Sequence, residues 1–219
     1  CTWKGYEGSS YLGGLQSFAQ LGFLGIIMDG LGTPQRSKKI HDYCYKNLEG
    51  CAGLEDHFIC TQELGKRFNF IDIERIGLWG ASGGGYATVR AMLEYPHFYK
   101  VGVAASGNHD QRLYNAAWVE RYNGLFDKEV YLKQDNTKLA KNLKGKLLLV
   151  HGDLDDNVHI SQTIRLVDAL IKENKDFDFI ILPNYFHSVS GNKYFVRRMW
   201  DHFVKNLLGV EPPKEYKIN

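Results

Sequence analysis

Residues 75–91 read RIGLWGASGGGYATVRA, and the fold is decided by how this stretch is understood. Ile76, Leu78 and Trp79 form a short apolar run of the kind that fills a buried strand. Gly80-Ala81-Ser82-Gly83-Gly84 follows, with a further glycine at Gly85; Tyr86, Val89, Arg90, Met92 and Leu93 then continue at helical spacing. Strand, G-x-S-x-G, helix is the pattern of a nucleophile elbow. The chain must turn from strand to helix so sharply that the turning residue is strained. Gly80 and Gly84, two before and two after Ser82, are expected to remove the side chains that would collide there. Ser82 would then stand clear of the sheet at a helix N-terminus, where backbone N–H groups favour a developing anion.

Outward from the elbow the chain alternates. Before it, 15–21 reads as a short helix ended by Gly22. The run 23–28 (FLGIIM) reads as a strand covered on both faces, and 55–68 as a helix with Phe58, Ile59, Leu64 and Phe68 turned inward. After it, the elbow helix reaches Tyr95 and stops at Pro96. Short apolar strands are predicted at 101–105, 147–150 (LLLV) and 177–182 (FDFIIL), with helices over 112–122, 159–173 and 193–208. No internal repeat is present. Strand–helix alternation predicts a single α/β domain over 1–219, a mainly parallel sheet with helices on both faces. Right-handed crossovers would leave the strand C-termini on one edge, where sites form.

Composition narrows the function classes. The chain has 219 residues, 44% hydrophobic and 24% charged, an ordinary balance for a packed globular domain. Lys+Arg number 27 against 25 Asp+Glu, and a net charge of +2 makes no electrostatic case for nucleic acid or an anionic membrane. No apolar run is long enough to span a bilayer, and no signal peptide is visible. The chain begins at Cys1, so the targeting signals say little, and a periplasmic or secreted setting is favoured over the cytoplasm. Cys1, Cys44, Cys51 and Cys60 match no common zinc or redox spacing. A disulfide and free thiols both stay open; neither a metal nor a cofactor is expected.

The chemistry follows from what stands beyond the predicted strands. A serine hydroxyl is a poor nucleophile until a base takes its proton, and the base needs a carboxylate to orient it. After LLLV comes HGDLDDNVH (151–159), and after FDFIIL comes PNYFHS (183–188). Both lie on the same edge as Ser82, so His187 is the natural base. Its partner is Asp153, Asp155 or Asp156, which spacing does not rank. His41 and His57 precede the elbow and break the chain order. His97 and His202 read as surface or helix positions, and His109 lacks a carboxylate at a strand end between Ser82 and itself. His151 shapes the acid loop and His159 starts a helix. Asp176 and Asp178 belong to the opposite edge.

These pieces resemble the prolyl oligopeptidase family of serine peptidases, in particular its dipeptidyl peptidase IV-like branch. The matching stretches are GLWGASGGGYAT (77–88), HGDLDDNVH, NYFHS (184–188), DGLGTPQRSKKIHD (29–42) and WVERYNGL (118–125), in the family's order over most of 23–209. The resemblance implies an α/β-hydrolase fold and a Ser82–Asp155–His187 triad. It further implies that Asn157 holds the substrate's backbone carbonyl, that Val158 lines the S1 pocket, and that Tyr114 and Trp118 are its aromatic positions. The oxyanion donors would be the backbone N–H of Gly83 and, as a faint echo of the family's Y-x-G-P motif, Tyr6 in YEGS. The proline is absent there and no clear strand precedes it. Family members carry an N-terminal β-propeller, for which this chain has no room; the first hydrolase strands are expected to be missing as well. The implied activity is cleavage of short or prolyl peptides through an acyl-enzyme, with a peptide as substrate and a homodimer as assembly. An esterase, or a catalytically silent domain serving as an interaction module, are the competing readings.

Overall fold

Four apolar runs become four parallel strands in the computed structural model, which describes residues 14–50 and 53–218. They are β1 (Ile76–Ala81), β2 (Tyr99–Ala105), β3 (Lys146–Gly152) and β4 (Asp178–Leu182), laid side by side in chain order. Trp79 lies opposite Val103, Ala104 opposite Leu149, and Val150 opposite Ile180. Parallel neighbours need a crossover, and helices supply it. Among the described residues three helices, α1 (Leu15–Gln20), α2 (Lys38–Asp42) and α3 (Leu54–Arg67), precede the sheet. The elbow helix α4 (Gly83–Glu94) links β1 to β2. A longer excursion, with a 3-10 turn at Gln111–Leu113, α5 (Ala116–Asn123), α6 (Lys128–Lys133) and a 3-10 stretch at Asn136–Asn142, leads to β3. Helix α7 (Ser161–Lys172) joins β3 to β4, and α8 (Lys193–Phe203) runs on into a π-helical turn, Val204–Leu208.

Helices cover both faces of the central strands β2 and β3, which explains why these read as continuous apolar runs, while the edge strands β1 and β4 are half-buried. On one face Val89, Met92 and Leu93 of α4 and Leu166 and Leu170 of α7 pack with Ala104, Leu147 and Leu149. On the other, Phe195, Val196, Met199 and Phe203 of α8 meet Phe18, Val101, Val103, Leu148 and Val150. Successive strand residues point to opposite faces, so LLLV feeds both cores in turn. Each fully buried aliphatic or aromatic side chain of this kind contributes roughly 1.5–3 kcal/mol.

Two expectations are corrected here. The FLGIIM run is extended but is not a strand. Among the described residues it joins no ladder, and Leu24 and Ile27 are 57% and 50% exposed while Phe23 packs edge-on against Phe18 and Phe203. An apolar run signals a need for neighbours on two sides, and here the described residues supply them on one. In α3 Ile59 is exposed, as is Phe68 just after it; the inward residues are Leu54 and Thr61, with Phe58 stacked on Tyr95 and edge-on to Phe98. Positions 54, 58 and 61 form one helical stripe, from which 59 diverges, and Phe68 lies beyond the helix end at Arg67. His202 is buried on α8, with Nε2 3.2 Å from the Lys146 carbonyl. Cys44 is disulfide-bonded and Cys60 is free.

Candidate active site

β1 ends at Ala81, and the chain turns at Ser82 with φ 57° and ψ −123°. This backbone lies outside the basins that L residues favour. It is held from both sides: the Ser82 N–H donates to the Ala105 carbonyl (2.9 Å), and the Ser82 carbonyl accepts from Tyr86 N–H (3.0 Å) to open α4. Two glycines make the turn sterically feasible, though not the pair that the motif suggests. A Cβ at Gly80 would collide with the Gly84 carbonyl, and one at Gly85 with the Ala105 carbonyl; at Gly84 it would meet nothing within 4 Å. Gly85 is therefore the second glycine that close packing requires, because it lets α4 lie directly on the end of β2.

Beyond β3 and β4 the acid and base loops are knitted together. Asp153 N–H donates to the Leu182 carbonyl (3.2 Å) and Leu154 N–H to the Tyr185 carbonyl (3.0 Å). His187 is thereby brought to Ser82, with Nε2 2.9 Å from Oγ, while Nδ1 lies 2.8 Å from Asp155 Oδ2. A carboxylate only accepts, so Nδ1 carries the proton and Nε2 is left to accept from the serine hydroxyl. Of the three aspartates in the loop, Asp155 is buried and faces the imidazole, whereas Asp153 and Asp156 are exposed. Its second oxygen, Oδ1, accepts the backbone N–H groups of Asn157 (3.0 Å) and Val158 (2.9 Å). The carboxylate is thus locked from behind. Such an arrangement can withdraw a proton from the hydroxyl and steady the cation that results.

The remaining residues singled out in the sequence fall as follows. Gly83 is the first residue of α4, so its N–H has no intrahelical acceptor and points from the helix N-terminus beside Ser82. Tyr114 Oη donates to Asn157 Oδ1 (2.7 Å), and its ring packs edge-on against Trp118 at 5.2 Å. Val158 is completely buried, its N–H spent on Asp155 and its carbonyl facing His151. Tyr6 lies outside the described residues. Among those described, no group of His, Cys, Asp and Glu is arranged to hold a metal ion, and no helix is long and apolar enough to cross a membrane.

Two supporting features have no counterpart in the sequence reading, and His109, set aside there for want of a carboxylate, proves to be buried. Ser106, buried at the end of β2 with φ 49°, places its hydroxyl 3.3 Å from the His187 carbonyl, so it braces the base loop from below. Arg112 bridges the buried carboxylates of Asp110 (2.7 Å) and Asp135 (2.8 Å), anchoring the segment that presents Tyr114. Its partners come together only in space, and no motif marks them. His109 is fully buried beside Asn136, and burial pushes its imidazole down to about 3, which keeps it neutral.

The chain is similar to known proteins over most of its length. Human dipeptidyl peptidase 8 is 30% identical over 204 residues, which cover 89% of this chain and 22% of that protein. Dipeptidyl peptidase family member 1 of Caenorhabditis elegans is 33% identical over 181 residues, 81% of this chain and 22% of that one. The crystal structure of Porphyromonas gingivalis dipeptidyl peptidase 4 superposes with a TM-score of 0.75 at 31% identity, over 82% of this chain and 26% of its own. The chain thus spans between 22% and 26% of the length of these relatives, and its four parallel strands with covering helices form part of an α/β-hydrolase domain. The model of the prolyl oligopeptidase family matches residues 10–210, a span that takes in the elbow, the acid loop and the histidine loop alike, and the chain belongs to that family.

Proposed function

We propose that this chain belongs to the catalytic domain of a serine peptidase of the dipeptidyl peptidase type and carries its catalytic residues, acting on short or prolyl peptides through an acyl-enzyme. What supports the reading above all is the line of contacts from Ser82 Oγ through His187 to Asp155, at 2.9 and 2.8 Å. In this mechanism His187 takes the Ser82 proton as Oγ attacks the scissile carbonyl. Asp155 holds the imidazole in its Nδ1–H form and steadies the imidazolium. The Gly83 N–H, at the positive end of α4, stabilises the tetrahedral oxyanion, an effect of about 3–4 kcal/mol per donor. His187 then protonates the departing amine, and water repeats the sequence to release the acid. Asn157 would hold a substrate carbonyl, while Tyr114 and Trp118 would form an aromatic wall suited to a small or prolyl side chain; Val158, fully buried, would stand behind the acid loop rather than line that wall. The disulfide at Cys44 favours an oxidising setting, periplasmic or secreted.

The experiment is covalent labelling of the chain with a fluorophosphonate, followed by turnover of aminoacyl-prolyl amides and short acyl esters. Wild type is expected to label and to cleave the amides, and Ser82→Ala to do neither. Labelling that persists in Ser82→Ala would remove Ser82 as nucleophile. Turnover of esters alone would replace the peptidase by an esterase.

A further inference from the structure

A second histidine touches the buried carboxylate. His151, near the end of β3, is fully buried, with Nδ1 2.8 Å from Thr163 Oγ1 on α7 and Nε2 2.8 Å from the Val158 carbonyl. The same Nε2 lies 3.2 Å from Asp155 Oδ2, the oxygen that faces His187. Both groups facing Nε2 are acceptors without a hydrogen of their own. The ring therefore carries its proton on Nε2, and the Thr163 hydroxyl donates to Nδ1. Burial pushes the His151 imidazole below the ordinary histidine range, so it stays a neutral donor beside His187.

The consequence concerns Asp155. A carboxylate offers about four lone-pair sites. Two on Oδ1 are filled by the N–H groups of Asn157 and Val158 and one on Oδ2 by His187, while the His151 Nε2–H, bonded to the Val158 carbonyl, lies 3.2 Å from that same Oδ2 as a polar contact. The His151 ring also ties the strand end to the Val158 carbonyl, closing the loop that carries Asp155. We propose that His151 is a positioning residue for the reaction: with Thr163 setting its tautomer, it holds the Asp155 carboxylate and the 155–158 turn at the angle that His187 requires. Contacts thus run from Thr163 through His151, Asp155 and His187 to Ser82. The inference rests on the triad reading above.

The test is the kinetics of fluorophosphonate labelling in the full chain, comparing wild type with His151→Phe, His151→Gln and Thr163→Val. His151→Phe removes the bond to the Val158 carbonyl together with the polar contact to Asp155, and the saturating rate should fall about tenfold, the worth of one hydrogen bond. The half-saturating probe concentration should stay within about twofold, because the probe's own contacts are untouched. His151→Gln, with an amide N–H near the place of Nε2, should recover most of the rate; a merely structural role would not produce that split or that rescue. Thr163→Val, which frees the ring to change tautomer, should fall between. A folded His151→Phe chain that labels at the wild-type rate overturns the proposal, as does a His151→Gln rate no better than that of His151→Phe. If His151→Phe does not fold, Thr163→Val decides, and an unchanged rate there overturns it. A wild-type chain that does not label brings down the triad reading and this inference together, whereas labelling that is indifferent to His151 brings down this inference alone.

Discussion

Tyr114 Oη donates a 2.7 Å hydrogen bond to Asn157 Oδ1, so the aromatic segment after β2 and the acid loop after β3 are joined side chain to side chain. The bond engages the acceptor end of the amide and turns its two N–H donors away from Tyr114. An Asn157 that binds a carbonyl therefore depends on Tyr114 for its orientation. Arg112, two residues earlier, anchors the same segment through Asp110 and Asp135.

Tyr114→Phe should accordingly weaken ground-state binding more than chemistry. Loss of one side-chain hydrogen bond predicts a KM raised about five- to tenfold for short prolyl amides, with kcat changed less than about twofold. Steady-state kinetics at constant pH measures both. An unchanged KM would show that the amide needs no such guide.

The two glycines at the start of α4 should respond oppositely to alanine. At Gly85 the added methyl meets the Ala105 backbone, which cannot yield without lifting α4 from β2, so Gly85→Ala should destabilise by about 1–3 kcal/mol. At Gly84 the space is open, and the gain in helix propensity predicts a stability unchanged or raised by up to about 1 kcal/mol. Urea unfolding of the two variants side by side is the measurement; equal losses would contradict the packing described.

Buried neutral histidines set the acid stability. The unfolded chain binds a proton at His109 near 6.5, whereas the folded chain does so only near 3. Between these values the unfolded state holds the extra proton, so stability falls as pH drops from 6.5 towards 3, by up to about 1.4 kcal/mol per pH unit for this one site. His57, His151 and His202 are lowered by burial too and act in the same direction. His109→Gln should lose less stability than wild type between pH 7 and pH 5 in urea titrations, whatever its starting value. A parallel loss in the two proteins would exclude His109 as a contributor.

Much of this was legible in the chain itself, because strand order and chemistry are both written locally. LLLV is buried on two faces, and the loops after it and after FDFIIL share an edge with Ser82, so the sequence alone pairs Ser82 with His187. The aspartate could not be ranked that way: Asp153, Asp155 and Asp156 are chemically equal in sequence, and it took family resemblance to prefer Asp155. FLGIIM reads as a strand but joins none among the described residues, because an apolar run reports what a segment needs, not what lies beside it. Gly84 differs for the same kind of reason. A motif names positions, while the steric demand falls wherever backbones touch, which is at Gly80 and Gly85. Ser106 acts through His187, far along the chain, and nothing local announces it; His151 reads as shaping its loop, but its contact with Asp155 shows only in the folded chain.

The contorted backbone at Ser82 sets the durability of the domain against its usefulness. Any change that let this residue settle into a comfortable conformation would make the molecule hardier and would draw its hydroxyl away from the imidazole. Selection for toughness and selection for turnover pull on the same residue in opposite directions, and the bend persists because the packing of α4 onto β2 prevents its release.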